Sequence, residues 1–424
     1  MTHSTLNVRL KRWLALGLAA SSLIATQGAV AAEKPKEQQI SRVIAKEMTE
    51  AQKDMQASRW ADAIKNLDAA EQKSPLTAFD KKTIYDFKGF ANVRLNHMKE
   101  AEDNYEKALA TGLYSPEEAA RTTRMLFRLA AGNQQYTKAL EWGKQVSDAG
   151  SANTDDLAVM SQIYYLQKDC KDAAIWADKA IATARKAGEA PKENLYQFKL
   201  QCASDAGDNA TMAAVLVDLI KLTNKTNYWN TLLRIERQEE RDDHNLSMVY
   251  RVMYDTNSMN AGSDYMEMAQ LLGDAALPGE AQSVIEKGTA AGLFNEQKDK
   301  DRATRLLNSL KPRAEADKRD AAKFDAEAAK NPAGELDVKA GEVFFGAGDY
   351  QSAVTAITRG IQKGQIKHPD EAYVYLGRAQ VALKNTAEAK KAFGGLKSTP
   401  NTSERVKKLW ELYSEKLGSA AAAS

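Results

Sequence analysis

The stretch 348–360, GDYQSAVTAITRG, places the small residue Ala353 three positions after Tyr350, where a helix is expected to begin. Two helices can pack about 8–10 Å apart only where the side chains at their crossing are small. The same arrangement of a large residue, two variable residues and an alanine recurs at Trp60–Ala63, Tyr136–Ala139 and Cys170–Ala173. The pattern therefore predicts a repeated helix pair in which the alanine marks the contact between two helices.

The alanines recur at a regular distance: 38 residues separate Ala63 from Ala101, and 36 separate Ala353 from Ala389. Such a period is typical of helix-turn-helix solenoids. In five of the repeats a second small residue stands about twelve positions earlier, on the expected first helix of the pair. Two linked small positions argue against chance alanine enrichment. The full set of predicted small positions is Ala51, Ala63, Gly89, Ala101, Ala139, Ala173, Ala269, Ala281, Ala340, Ala353, Gly377 and Ala389.

A larger residue follows the alanine of the second helix by four positions. We expect these residues to fill the groove between neighbouring repeats. They are Leu67, Tyr105, Ile357 and Phe393.

The stretch 372–393, AYVYLGRAQVALKNTAEAKKAF, carries a Leu-Gly pair, an alanine and a closing aromatic, and the stretch 59–75 ends in Pro75. In these features the chain resembles the tetratricopeptide repeat (TPR) family. The resemblance covers roughly residues 40 to 415 and is weak at 193–260 and 294–332. It implies an all-α fold, a TPR-like superhelical solenoid of eight to ten antiparallel helix pairs. It also implies a groove that binds partner proteins.

Residues 294–332 are dense in charge, and a disordered linker is the alternative to helix there. Leu306, Leu307 and Leu310 recur at helical spacing, which favours a helix pair. The expected organisation is a cleaved signal peptide (1–32), a flexible N-terminus (33–39), an N-terminal array (40–293, degenerate over 193–260), a charged degenerate helix pair (294–332), a C-terminal TPR pair (333–416) and a frayed tail (417–424).

The N-terminus has the three parts of a secretory signal. Three basic residues precede an apolar run over 13–24, and small residues follow at 29–32, which predicts cleavage after Ala31 or Ala32. A lone membrane anchor is the alternative, but the run is shorter than the roughly 20 residues needed to span. We expect a periplasmic mature chain without a transmembrane segment.

The charge of that mature chain gives no sign of a nucleic-acid partner. Cleavage removes three basic residues, so 59 − 3 = 56 Lys and Arg remain against 57 Asp and Glu. A net charge near −1 lacks the basic excess that binding to nucleic acid requires.

The sequence contains no recognisable catalytic motif, so we expect neither an enzyme nor a cofactor. The histidines His3, His97, His244 and His368 are scattered, which predicts no metal site. The only cysteines, Cys170 and Cys202, are a candidate disulfide in an oxidising compartment, and two separate buried thiols are the alternative.

Arginines recur on the expected first helices of the pairs, which line the groove in TPR proteins. An arginine ladder there suits a carboxylate-bearing segment or a peptide C-terminus. The alternative is a solvated face whose arginines pair with local glutamates such as Glu117 and Glu118. The candidate groove residues are Arg94, Arg121, Arg124, Arg128, Arg234 and Arg237.

A finer resemblance rests on the stretch 263–294, which has Leu-Pro before its alanine-bearing helix and a Lys-Gly ending, and on Trp410. Here the chain resembles exported TPR proteins associated with TonB-dependent transport. That resemblance implies an accessory role beside TonB, ExbB and ExbD-type components in outer-membrane uptake. A generic periplasmic scaffold for envelope assembly or outer-membrane protein biogenesis is the alternative.

Overall fold

The structure is a computed structural model that describes residues 39–398 and 402–418. The predicted signal peptide, its cleavage site, residues 33–38 and residues 419–424 lie outside the described residues. Within the described part the chain forms 20 α-helices, and it divides into two compact units between Lys199 and Leu200.

The first unit consists of four consecutive helix pairs and the first half of α9. Its helices are α1 (Ala45–Gln56), α2 (Trp60–Glu71), α3 (Ala78–Leu95), α4 (Met98–Leu109), α5 (Pro116–Gly132), α6 (Tyr136–Asp148), α7 (Thr154–Leu166), α8 (Cys170–Lys186) and α9 (Glu193–Asp205).

The second unit continues the alternation, interrupted by one long helix. Its helices after α9 are α10 (Asn209–Thr223), α11 (Thr226–Glu239), α12 (Asp243–Asp255), α13 (Gly262–Asp274), α14 (Pro278–Ala290), α15 (Gln297–Ala328), α16 (Glu335–Gly346), α17 (Tyr350–Lys363), α18 (Pro369–Ala382), α19 (Thr386–Phe393) and α20 (Glu404–Lys416).

First and second helices of a pair begin differently. The first helices α3, α5 and α7 begin with a capping box, in which the residue before the helix and its third residue exchange hydrogen bonds. Most second helices begin two positions after a residue with positive φ, as Tyr350 follows Gly348 at φ +78°. The other residues in that position are Ser58, Asn96, Gln134, Lys168, Gly207, Ala276 and Lys384.

The two helices of a pair are antiparallel and in close contact. In α16 and α17, Gly341 faces Ile357 and Gly360 faces Val338, so numbers rise along one helix as they fall along the other. All twelve predicted small positions are buried. At Gly377 an added Cβ would lie 2.5 Å from the ring of Phe393, which shows why the position is small.

The larger residues pack between neighbouring pairs, as predicted: Leu67 shares a buried cluster with Ile84 of α3, and Tyr105 shares one with Leu126 of α5. They also pack inside their own pairs. Tyr105 and Phe393 pack on Gly89 and Gly377 respectively, inside their own pairs. The reason is geometric: a residue one helical turn beyond the alanine still faces the first helix of the same pair.

The predicted helix pair at 294–332 is wrong, because α15 is a single helix of 32 residues. Residues 297–328 contain no glycine, and helix-favouring Ala, Lys, Arg, Glu and Leu dominate. Pro312 lies inside the helix without ending it. The segments at 193–260, by contrast, form the helices α9 to α12 with the usual short turns.

Candidate functional site

The predicted arginine ladder lies on α5, where Arg121, Arg124 and Arg128 follow at helical spacing. Arg128 donates through Nε and Nη2 to Oδ1 of Asp156, at 3.1 and 2.7 Å. Nε of Arg124 lies 3.0 Å from Oδ2 of the same carboxylate. That second contact is an ion pair without hydrogen-bond alignment, since Arg124 Nε has no aligned acceptor. We call Arg121, Arg124, Arg128 and Asp156 the arginine surface.

Asp156 is the buried centre of this surface. It is the third residue of α7, and its Oδ2 accepts from the backbone N–H of Asn153. The carboxylate therefore caps α7 and pairs with α5 at once. The second unit contains the same arrangement of an arginine and a capping carboxylate: Arg237 on α11 binds Asp264, the third residue of α13. The partners are 28 and 27 residues apart, a spacing that could have indicated both pairs from sequence.

The remaining predicted arginines have different surroundings. Arg121 is exposed and lies 3.9 Å from Glu117, which matches the solvated alternative at this one position. Arg94 is exposed, and its guanidinium lies 5.1 Å from the centre of the Trp60 ring. Arg234 is exposed on α11. The surroundings of the six arginines therefore differ from residue to residue, and their contact with a partner protein stays a prediction.

The second unit contains a buried ionic cluster that the sequence analysis missed. Arg251 on α12 is fully buried and contacts Glu280 at 3.3 Å, Glu371 at 3.1 Å and the Tyr375 hydroxyl at 2.7 Å. Arg378 binds both Asp255 and Glu280. We call Arg251, Asp255, Glu280, Glu371, Tyr375 and Arg378 the ionic core. Because members in contact lie up to 124 residues apart, no local motif reveals the ionic core.

The charges of this core shift the pKa values of its members. Burial opposes the charged form of Glu280, but Arg251 and Arg378 outweigh it and lower the pKa of Glu280 to about 2. Burial raises the pKa of Asp255 despite Arg378. Nearby on α16, burial and then the negative charge of Glu371 raise the pKa of Glu342 to about 7.

A cavity of about 360 Å³ opens beside the ionic core. Its lining includes Tyr254, Asp255, Lys287, Tyr350 and Arg378. Lys287 Nζ donates to the Tyr254 carbonyl at 3.1 Å, and burial lowers the pKa of Lys287. This cavity volume lies at the lower end of the range for small-molecule binding sites. Each charged group that lines the cavity already has an opposite charge or a carbonyl oxygen beside it.

His244 and His368 are far apart in the sequence but lie together in the second unit. The rings of His244 and His368 are 4.7 Å apart, and His244 Nε2 lies 2.9 Å from Asp370 Oδ2. Helix packing brings residues 126 positions apart into contact. A neutral imidazole and a carboxylate are both ligands for divalent metals.

Neither cysteine is a free thiol in the structure, and the pairing of Cys170 with Cys202 stays a prediction. Their state in the oxidised, exported protein stays a prediction. No helix in the described residues combines the length and the apolar character needed to cross a membrane.

No protein-family model and no curated protein matches the chain. Among solved structures, it is similar to a tetratricopeptide repeat protein from Parabacteroides merdae, at 12% identity and a TM-score of 0.31, over 88% of this chain and 99% of that one. It is also similar to the C-terminal part of a TPR repeat-containing protein from Cytophaga hutchinsonii, at 12% identity and a TM-score of 0.34, over 62% and 95%. At these TM-scores the likeness carries no argument, and the resemblance to the TPR family rests on the sequence motifs.

Proposed function

We propose that the chain is a non-enzymatic scaffold of the TPR type that binds an acidic segment of a partner protein. One observation carries the proposal: three arginines share one face of α5, and a single buried carboxylate holds two of them in place. Such an arrangement leaves a positive surface whose geometry is set before a partner arrives. Preorganised groups lose less side-chain entropy on binding than free ones do.

The arginine surface keeps donors for a partner after its internal contacts are made. The side chains of Arg121, Arg124 and Arg128 are 63%, 32% and 23% exposed, whereas Asp156 is 2% exposed. Together with Glu117, the partner of Arg121, the arginine surface has three guanidinium charges and two carboxylates, a net charge of 3 − 2 = +1. A carboxylate accepts two parallel N–H bonds from a guanidinium, so an acidic side chain or a C-terminal carboxylate suits this surface.

The proposed location is the periplasm, supported by the basic, apolar and small-residue series before Glu33. The proposed partners are TonB, ExbB or ExbD-type components, supported by the resemblance of the stretch 263–294. N-terminal sequencing of the exported protein should begin at Ala32 or Glu33. An intact Met1 on membrane-embedded protein would contradict export.

The binding proposal is tested with a fluorescent hexaglutamate peptide that ends in a free carboxylate, followed by anisotropy. The double variant Arg121→Ala/Arg124→Ala leaves the Arg128–Asp156 pair intact, so α5 and α7 should remain folded. We expect affinity to fall about tenfold or more, since each charge-assisted hydrogen bond contributes roughly 1.5–3 kcal/mol before solvent screening.

Lys65→Ala is the matched control, because it removes an exposed cation of the same unit that pairs with Asp62 at 2.9 Å. Equal affinities for the wild type, the double variant and the control would reject the arginine surface as a binding site. In cells, a photo-crosslinking residue at position 121 should capture TonB-system components. Capture of outer-membrane assembly proteins instead would favour the generic envelope scaffold.

A further inference from the structure

A cluster of metal-ligating side chains lies where the start of α12 meets the start of α18 in the second unit. His244 is the second residue of α12, His368 precedes α18, and Asp370 is the second residue of α18. One nitrogen of each histidine and one carboxylate oxygen all lie within 4.8 Å of one another. The proposed scaffold function uses none of these residues.

Two atoms of the cluster lack the partner that burial requires. Oδ1 of Asp370 and Nδ1 of His368 are buried, and neither has a hydrogen-bond partner in the described residues. A buried polar atom without a partner costs about 1–3 kcal/mol, so such atoms call for an explanation. Asp370 itself is only 2% exposed. A bound cation would satisfy both lone pairs together.

The surroundings orient these groups as the outer shell of a metal site does. Thr402 donates its hydroxyl to Oδ2 of Asp370, which restrains the carboxylate. Glu371 Oε2 lies 3.9 Å from Nδ1 of His244, on the far side of the ring from Asp370. A carboxylate beyond the second ring nitrogen of a ligating histidine favours the tautomer whose first nitrogen binds the metal.

We propose that His244, His368 and Asp370 form a binding site for a divalent transition metal, with Zn²⁺ as the preferred ion. The ligand atoms are Nε2 of His244, Nδ1 of His368 and an oxygen of Asp370. Two imidazoles and one carboxylate suit zinc, whereas calcium and magnesium prefer oxygen ligands alone.

Small side-chain movements bring the ligands to coordination distance. Zinc bonds of about 2.0–2.2 Å in tetrahedral geometry place neighbouring ligand atoms about 3.3 Å apart. The atoms here lie within 4.8 Å, and His244 Nε2 and Asp370 Oδ2 are already 2.9 Å apart. Movement of the His368 ring and the carboxylate by about 1.5 Å closes the difference between 4.8 and about 3.3 Å. A bound ion would then link α12 to α18.

The test uses the full mature chain without a polyhistidine tag, stripped of metal with a chelator. Titration calorimetry with Zn²⁺ should give one ion per chain, and Mg²⁺ at the same concentration should give none. Added Co²⁺ should produce the visible absorption of a tetrahedral site, and Zn²⁺ should abolish it. His368→Gln should weaken zinc binding at least tenfold while circular dichroism stays unchanged.

His97→Gln is the matched control, because His97 is exposed at the start of α4 in the other unit. Asp370→Asn serves as a second ligand variant, since it keeps the side-chain shape if His368→Gln alters the fold. Zinc binding that is absent from the wild type overturns the proposal. Binding that survives unchanged in both ligand variants also overturns it.

Discussion

Glu280 is the group on which the ionic core depends most, so we expect Glu280→Gln to destabilise the second unit strongly. Its carboxylate contacts two buried guanidiniums, Arg251 and Arg378, and accepts a hydrogen bond from Tyr375. The change keeps the side-chain shape but removes the negative charge. Arg251 keeps its ion pair with Glu371, and Arg378 keeps its ion pair with Asp255, so each guanidinium loses one of its carboxylates but is not left unpaired.

The magnitude follows from the pKa of Glu280. A pKa of about 2 in place of 4.5 means that the core favours the charged form by about 3 kcal/mol. Breaking a buried ion pair by removing one partner typically costs about 3–5 kcal/mol. For a unit of this size, each kcal/mol of lost stability lowers Tm by about 2–4 °C, so a loss of about 3–5 kcal/mol predicts a decrease of about 6–20 °C.

Differential scanning calorimetry at neutral pH measures this decrease on the transition of the second unit. The pKa of Glu280 is lower in the folded state, so its contribution is present above pH 4.5 and is lost as the pH falls towards 2. The difference between variant and wild type should shrink over the same range. Glu286→Gln is the control, because Glu286 is exposed on the same helix. If both variants shift Tm equally, the ionic core does not hold the unit together as argued.

Three further predictions test other parts of the structure. Gly377→Ala should destabilise by about 1–3 kcal/mol in urea unfolding, since its Cβ would lie 2.5 Å from a phenylalanine ring. Gly273→Ala, whose Cβ would meet one atom at 3.4 Å, should be neutral, and equal effects would contradict the packing argument. The pKa of Glu342 is raised to about 7 in the folded state, so between pH 4.5 and 7 folded Glu342 keeps a proton that the unfolded chain releases, and the free energy of unfolding should fall as the pH rises over this range. Glu342→Gln should reduce this dependence of stability on pH, and an unchanged dependence would exclude Glu342 as its source. Non-reducing mass spectrometry should find Cys170 bonded to Cys202 in the exported protein, and two freely alkylated thiols would rule out the bridge.

The local helix pattern could be predicted because it depends on residues close in sequence. Ala353 and Gly377 indicate helix crossings, since a small side chain is required wherever two helices of a pair touch. The long helix α15 could not be predicted from the period, because a regular repeat implies a turn near the middle of 294–332. The charged, glycine-free sequence there continues the helix instead, through Pro312.

The sequence by itself therefore determined the helical class, the pairing of neighbouring helices and the arginines of α5, all of which depend on spacings of a few turns. Only the tertiary structure decided which charges are buried together. Arg251 meets Tyr375 across 124 residues, and His244 meets Asp370 across 126. Burial couples such groups strongly because the protein interior screens charge poorly. No spacing in the chain encodes those contacts, since they arise from the packing of helices that are far apart in sequence.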